Sequence, residues 1–201
     1  MDSQGEETTE SRNVPEESLV CGIDEAGRGP LAGPVTAAAV VLGMGTDWSF
    51  LADSKRISPG KRRKYAFLIM KHAADWGIGW SWPEEIDRMN IHHASLLAME
   101  RAFGALSGSC DKAVVDGRFV PEIPVRAEAM VRGDALVPSV SAASILAKVV
   151  RDRWMERYSW IEPHWEFDRH KGYPTRRHRE CCRLYGLSPI HRRSFTIFSS
   201  S

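Results

Sequence analysis

Apolar positions along the chain fall into short runs and helical stripes, and turn-forming residues separate them. Val20 to Ile23 is a brief apolar run broken by Gly22, and it ends in Asp24-Glu25. A stretch rich in turn residues follows, Gly27-Arg28-Gly29-Pro30-Leu31-Ala32-Gly33-Pro34. Val35 to Leu42 is apolar and β-branched at several positions, the pattern of a buried strand. Two strands joined by such a turn predict an antiparallel pair. Ser58-Pro59 supplies an N-cap and a proline at the first helical position, predicting a helix to about Asp75. Gly77 to Trp82 alternates like a strand. Pro83-Glu84-Glu85 opens a second helix, whose Ile86, Met89, Leu96, Leu97, Met99 and Phe103 recur at spacings near three and four, as a core-facing side requires.

Further along, Ala113-Val114-Val115 is a short buried strand closed by Asp116-Gly117, and Val125 to Val131 is a weaker strand. Pro138 to about Tyr158 carries Val140, Ala143, Ile145, Leu146, Val149 and Val150, which suits a helix packed on a sheet. Thr175 to Tyr185 is a basic helix followed by Gly186, a C′ glycine. This order predicts an α/β fold: a mixed sheet with helices packed on it, then a helical C-terminal appendage. Residues 1–18 lack apolar periodicity and read as a disordered acidic tail. No internal repeat and no low-complexity block interrupts the pattern.

Composition narrows the class. The 201 residues suffice for one domain with an appendage and for a core that needs no staples. With 43% hydrophobic and 26% charged residues, a wholly disordered chain is excluded. No apolar stretch approaches the roughly 18–20 residues of a membrane span, and the N-terminus lacks the apolar region of a secretory signal. Cys21, Cys110, Cys181 and Cys182 contain no C-x-x-C pair, so neither a zinc site nor a disulfide scaffold is expected, and a reducing cytoplasm fits best. His92 and His93, adjacent on a helix, are expected to face different directions and to be structural.

Charge changes the picture by region. Formal net charge is +1, but residues 1–18 hold six acids against one arginine, whereas residues 148–201 hold twelve Lys/Arg against six Asp/Glu. A basic C-terminal third suggests a surface that faces a polyanion.

Four acids could do chemistry there. Asp24-Glu25 ends one predicted strand and Asp116 another, and open α/β sheets place their sites at such strand ends. If the two strands are neighbours, about 4.8 Å apart, Asp24 and Asp116 can share a cation. Glu25 points to the opposite face unless the strand ends or twists there, which Gly27 and Gly29 permit. Asp152 lies between Arg151 and Arg153 on an otherwise apolar helix, and for any of these acids alone a surface ion pair is the plain alternative. Clustered carboxylates repel unless a divalent cation intervenes, and oxygen ligands suit Mg²⁺ or Mn²⁺. Two such ions could drive in-line phosphodiester displacement.

Other residues could hold the polyanion. Gly27-Arg28-Gly29 offers close backbone approach plus a cation, although a simple tight turn has the same sequence. Asp53-Ser54-Lys55-Arg56 places a hydroxyl and two cations in a loop. Arg169-His170-Lys171-Gly172-Tyr173-Pro174-Thr175, with Arg176, Arg177 and His178, sets an aromatic ring among cations, and His191-Arg192-Arg193-Ser194-Phe195 repeats the mix.

Taken together, these blocks resemble the bacterial ribonuclease HII family. Cys21 to Val35 (CGIDEAGRGPLAGPV) is similar to its opening signature. Asp53-Ser54-Lys55, Ile86-Asp87-Arg88-Met89-Asn90-Ile91, Val115-Asp116-Gly117 and Gly133-Asp134 follow in the family's order. So do Ala142 to Lys148 with Arg151-Asp152-Arg153, His170-Lys171-Gly172-Tyr173 with Thr175 and His178, and His191 to Phe195. The resemblance covers about residues 20–195.

It implies a ribonuclease H-like fold, a five-stranded mixed sheet flanked by helices with a helical C-terminal extension. The divisions would be a disordered acidic tail (1–18), a catalytic core (19–160) and an extension completing the substrate groove (161–201). It also implies a metal-dependent endoribonuclease that cleaves RNA in RNA–DNA hybrids and nicks 5′ of single ribonucleotides in duplex DNA. The ends left are 5′-phosphate and 3′-hydroxyl, as ribonucleotide excision repair needs. Asp24, Glu25, Asp116 and Asp152 match the catalytic acids, which hold two Mg²⁺ or Mn²⁺ ions. Gly27, Arg28 and Gly29 would read the ribose 2′-hydroxyl. Tyr173 would stack on the deoxyribose after the ribonucleotide, and Ser54, Lys55 and Lys148 match phosphate contacts. A cytoplasmic monomer is expected. The tail, Ser141 and the Trp160-to-Trp165 segment depart from the family pattern without touching an acid. Eighteen residues cannot form the N-terminal domain of the sister type, ribonuclease HIII. The alternatives are a non-catalytic hybrid-binding protein, which has no need of four clustered acids, and another ribonuclease H-like nuclease, which would also cut all-DNA duplex.

Overall fold

The computed structural model describes residues 19–51 and 57–198. The acidic segment 1–18, Ser54 and Lys55 lie outside the described residues. Five strands form one sheet among those described, β1 (Val20–Ala26), β2 (Val35–Val41), β3 (Asp75–Ser81), β4 (Lys112–Asp116) and β5 (Arg126–Met130), in the order β3-β2-β1-β4-β5. β1, β2 and β3 are antiparallel neighbours, as the Gly/Pro-rich turn after β1 predicts for the first two. β4 adds parallel to β1, and β5 parallel to β4. The mixed sheet thus puts β1 at its centre, buried on both faces.

Helices cover both faces. α2 (Pro83–Gly104) packs on the side of Cys21, Ile23, Ala37, Ala39, Ala113 and Val115. α1 (Pro59–His72) and α4 (Pro138–Ile161) pack on the side of Ala38 and Val40. Glycines set how closely these helices lie. A Cβ on Gly22 would come within 2.1 Å of the Ser139 backbone at the start of α4, and one on Gly79 within 2.0 Å of the Ala98 carbonyl oxygen of α2. At both places a helix backbone rests directly on a strand, a contact no larger residue allows.

Some expected boundaries move. α1 begins at Pro59 as expected, with the Ser58 hydroxyl accepting from the Lys61 N–H, but it ends at His72, and Asp75 already belongs to β3. The second predicted helix is two helices in sequence. Asn90 sits at φ 69°, and its side-chain oxygen accepts from the His92 and His93 N–H groups, at 2.9 and 3.2 Å, capping the second segment. The His92 and His93 rings do not diverge: they meet edge to face at 5.1 Å, and His92 packs on Phe119. A short α3 (Gly133–Leu136) leads into α4, which runs to Ile161, three residues beyond its expected end.

α5 (Phe167–His170) and α6 (Arg176–Tyr185) make the C-terminal extension. It has its own apolar cluster, in which Trp165, Phe167, Cys181, Cys182 and Ile190 pack against Met155 of α4 and against Leu31 and Ala32 of the turn between β1 and β2. The extension therefore grips the segment immediately after Asp24 and Glu25.

Candidate active site

The parallel register aligns Ile23 with Val115, so one step further Asp24 of β1 stands beside Asp116 of β4. Both follow the alternation that turns Gly22 and Val114 towards α4. Asp24 is buried, and its carboxylate accepts from the Glu25 N–H at 2.7 Å and from the Ser144 hydroxyl of α4. β1 ends one residue after Glu25, and Gly27 takes φ 97°. This is the strand end that Glu25 needs to join the others. Glu25 borders a cavity of about 290 Å³ together with Gly27, Arg62, Ser144, Lys148 and Tyr173, and its Oε1 lies 3.3 Å from Arg28 Nη1.

The charges interact as their proximity demands. Burial, then the Glu25 and Asp116 charges, hold Asp24 well above the ordinary carboxylate range, against the lowering effect of its Ser144 and backbone hydrogen bonds. Burial also raises Glu25, with Arg28 pulling the other way and Asp116 adding to the rise. Oδ1 of Asp116 is buried and has no hydrogen-bond partner among the described residues. A buried carboxylate oxygen left unpaired beside two other acids is an expensive arrangement without a cation.

Asp152 stands apart from this trio. It lies on α4 one turn after Lys148, whose ammonium it meets at 2.8 Å, and it faces a cavity lined by Arg62, Arg63, Arg153, Arg169 and Lys171. Lys148 bridges the two cavities, since its Nζ also lies 5.2 Å from the centre of the Tyr173 ring. Tyr173 is partly exposed, and a Cβ on Gly29 would approach its ring to 3.9 Å, so the glycine loop and the tyrosine sit side by side.

Two buried arginines build that loop. Arg192 donates from Nε to the Gly33 carbonyl (2.9 Å), from Nη1 to those of Arg28 (2.9 Å) and Pro30 (2.8 Å), and from Nη2 to that of Gly27 (2.6 Å). Arg151 donates to the carbonyls of Pro34, Ala32 and Lys171 at 2.9–3.1 Å. A segment that cannot pair with itself thus has its carbonyls satisfied from behind. The N–H groups of Arg28 and Gly29 have no acceptor among the described residues and remain available. The signal of this clamp role was present in the sequence for Arg151, a guanidinium on an otherwise apolar helix, whereas Arg192, expected among the cations that face the polyanion, is buried and spends its guanidinium on backbone carbonyls. Ser141, the departure from the family pattern, donates to the Leu51 carbonyl at 3.0 Å.

The residue pattern of the family described as ribonuclease HII matches residues 21–198. The chain is 50% identical over 177 residues to a ribonuclease HII of Dechloromonas aromatica, covering 88% of this chain and 90% of that one. It is 52% identical over 178 residues to a ribonuclease HII of a Marinomonas species, covering 88% and 89%. The crystal structure of the ribonuclease H2 from Pyrococcus horikoshii superposes with a TM-score of 0.75 at 28% identity, over 89% of this chain and 94% of that one.

Proposed function

The chain belongs to the ribonuclease HII family, and from that premise we propose how its own residues carry out the reaction. It is a ribonuclease H, an enzyme that hydrolyses the RNA of RNA–DNA hybrids, and its family depends on divalent metal. The finer reading is a nuclease that also nicks on the 5′ side of single ribonucleotides embedded in duplex DNA, leaving 5′-phosphate and 3′-hydroxyl ends. The observation that carries it is the trio of converging acids, one with an unpaired buried oxygen.

The donor set fits a hard cation. It offers carboxylate oxygens, and a positive charge between them would satisfy the unpaired Asp116 Oδ1 and relieve the burial and repulsion that raise Asp24. Asp24, Glu25 and Asp116 would hold Mg²⁺ or Mn²⁺, with Asp152 completing a second position once its pairing with Lys148 loosens. When bound, the ions supply Lewis acidity for the attacking water and the leaving oxygen.

The remaining residues orient the substrate. The open N–H groups of the Gly27-Arg28-Gly29 loop meet the ribose 2′-hydroxyl, the group that separates RNA from DNA. Tyr173 offers its partly exposed ring to the deoxyribose that follows, and Lys148, whose ammonium lies over the ring, supplies a cation for phosphate. Ser54 and Lys55, which lie outside the described residues, are assigned phosphate contacts on the family pattern alone. The same reading takes the core as residues 19–160, the extension as 161–201, and the enzyme as a cytoplasmic monomer. No helix among the described residues is long and apolar enough to cross a membrane.

The test is cleavage of a DNA duplex containing one ribonucleotide, with Mg²⁺, with Mn²⁺ and with EDTA. One nick 5′ of the ribonucleotide, lost in EDTA, is expected, with all-DNA duplex left intact. Cleavage of long hybrids alone overturns the junction reading, cutting of all-DNA duplex points to a different nuclease, and no cleavage with any metal leaves a hybrid-binding protein.

A further inference from the structure

A second cluster of donor atoms lies in the C-terminal extension, away from the carboxylates. His178, Cys182 and His191 are all buried. His178 and Cys182 stand one turn apart on α6, at positions i and i+4, so both side chains leave the same helix face. His191 reaches them from the segment that bridges to Ala32. His178 Nε2 lies 3.0 Å from His191 Nε2, which in turn lies 3.1 Å from Cys182 Sγ, and all three donor atoms fall within 4.8 Å of one another. No C-x-x-C spacing announces this cluster, because helix geometry and a distant loop assemble it.

From this geometry we infer that His178, Cys182 and His191 bind a borderline-soft divalent ion, Zn²⁺ foremost. The donor set of two imidazole nitrogens and one sulfur is of that class, and it differs from the oxygen set of Asp24, Glu25 and Asp116. Around a tetrahedral Zn²⁺, with bonds of about 2.0–2.3 Å, neighbouring donors stand roughly 3.3–3.7 Å apart, so the His178–His191 and His191–Cys182 pairs need to spread by only a few tenths of an ångström. The outer contact of His178 is of the kind ligating histidines use, whereas that of His191 has to change on ion binding. The His178 Nδ1–H donates to the Tyr173 carbonyl at 2.9 Å, which leaves Nε2 a lone pair facing the cluster. His191 Nδ1 accepts from the Ser188 N–H at 2.8 Å and has the Ser188 carbonyl at 3.3 Å. Ion uptake moves the His191 proton from Nε2 to Nδ1, so the Ser188 N–H gives up its bond there and the Ser188 carbonyl becomes the acceptor, while the Cys182 thiol proton is released to solvent, one proton per ion. Burial keeps both imidazoles neutral at physiological pH, with each pushed down to about 4. His170 stacks on the His178 ring at 4.2 Å, but its nitrogens are engaged with the Trp165 carbonyl and the Gly172 N–H, so it walls the site without ligating.

The ion would tie α6 to the segment that holds the glycine loop. His178 contacts the Tyr173 carbonyl, and Arg192, next to His191, holds Gly27 to Gly33. Its effect is therefore on the rigidity of the substrate-reading side and not on the acids.

The experiment is a Co²⁺ titration of the full-length, chelator-treated protein, followed by near-ultraviolet and visible absorption. A thiolate-to-cobalt charge-transfer band that saturates at one equivalent is expected, and added Zn²⁺ should displace it. Co²⁺ held by carboxylates gives no such band, so occupancy of the catalytic acids does not interfere. Cys182→Ala should abolish the band, and Cys181→Ala should retain it. The same Cys182→Ala protein should lose the rise in melting temperature that Zn²⁺ gives the unaltered chain, while still cleaving hybrid in Mg²⁺. Absence of the band in the unaltered chain overturns the site and leaves a hydrogen-bonded His-His-Cys chain only. A band that survives Cys182→Ala, or that Zn²⁺ cannot displace, overturns it equally.

Discussion

Gly22→Ala tests whether close helix-on-strand contact is what aims the acids. The new methyl would lie 2.1 Å from the Ser139 carbonyl carbon and 2.2 Å from the Val140 nitrogen. Ordinary contact begins near 3.4 Å, so the strand and the N-terminal end of α4 must separate by about 1.3 Å. β1 is central and paired on both sides, so α4 is the partner that yields. Overpacking of this size costs about 3 kcal/mol. The movement also carries Ser144 away from Asp24, and Lys148 and Asp152 with it. A misplacement of about 1 Å costs roughly 10²-fold in rate. Gly79→Ala is the matched control, because its methyl would meet the Ala98 carbonyl oxygen at 2.0 Å on the opposite face, where α2 carries none of the acids. Urea denaturation should show similar losses for the two variants, whereas kcat on a hybrid substrate, measured well below the transition, should fall about 100-fold only for Gly22→Ala. Equal losses of kcat in both variants, or an unchanged kcat in Gly22→Ala, would refute the argument that the contact positions α4.

Other consequences can be checked alongside. Asp24→Asn should lower cleavage by at least about 10²–10³-fold with hybrid binding kept, and should stabilise the metal-free protein at neutral pH, because it removes a buried charge that its neighbours repel; a lower melting temperature without metal contradicts this. Asp24 and Glu25 retain protons above the ordinary carboxylate range, so the charged forms that bind metal appear only as pH rises through those raised values. The Mg²⁺-induced gain in melting temperature should therefore shrink on acidification, and a gain independent of pH opposes the assignment. Tyr173→Ala should cost about 1–3 kcal/mol of selectivity at an RNA–DNA junction, read as the ratio of junction to mid-hybrid cleavage, with little change in melting temperature. For Arg192→Met, four lost charge-assisted hydrogen bonds are worth at most about 6–12 kcal/mol. Release from burial, which pushes the guanidinium down to about 9, offsets part of this, so chemical denaturation should show a net loss of a few kcal/mol. A loss below about 1 kcal/mol, with 2′-hydroxyl discrimination intact, opposes the clamp role.

Much of this architecture was legible in the chain because local rules dictate it. The apolar run of β2, the Ser58-Pro59 start of α1 and the apolar side of α4 follow from propensity and periodicity, and all three stand where they were expected. The acids at strand ends were likewise visible. The alignment of Asp24 with Asp116 was not, because parallel register is set by packing of both faces over nearly a hundred intervening residues. Asn90 escaped notice because a capping asparagine inside an apolar stripe does not break the stripe's spacing. The buried guanidiniums and the His-His-Cys cluster share one cause: their partners are backbone carbonyls and distant side chains, which no spacing along the chain encodes.

The clamp on the glycine loop also sets an order of events during synthesis. All four acids have been synthesised once residue 152 is translated, yet the guanidinium that fixes Gly27, Arg28, Pro30 and Gly33 belongs to residue 192. A nascent chain therefore carries every charge needed for hydrolysis for some forty residues before it can hold the segment that would distinguish RNA from DNA. The acids mature without their reader, and the two become one site only when the last tenth of the polypeptide closes back onto its first strand.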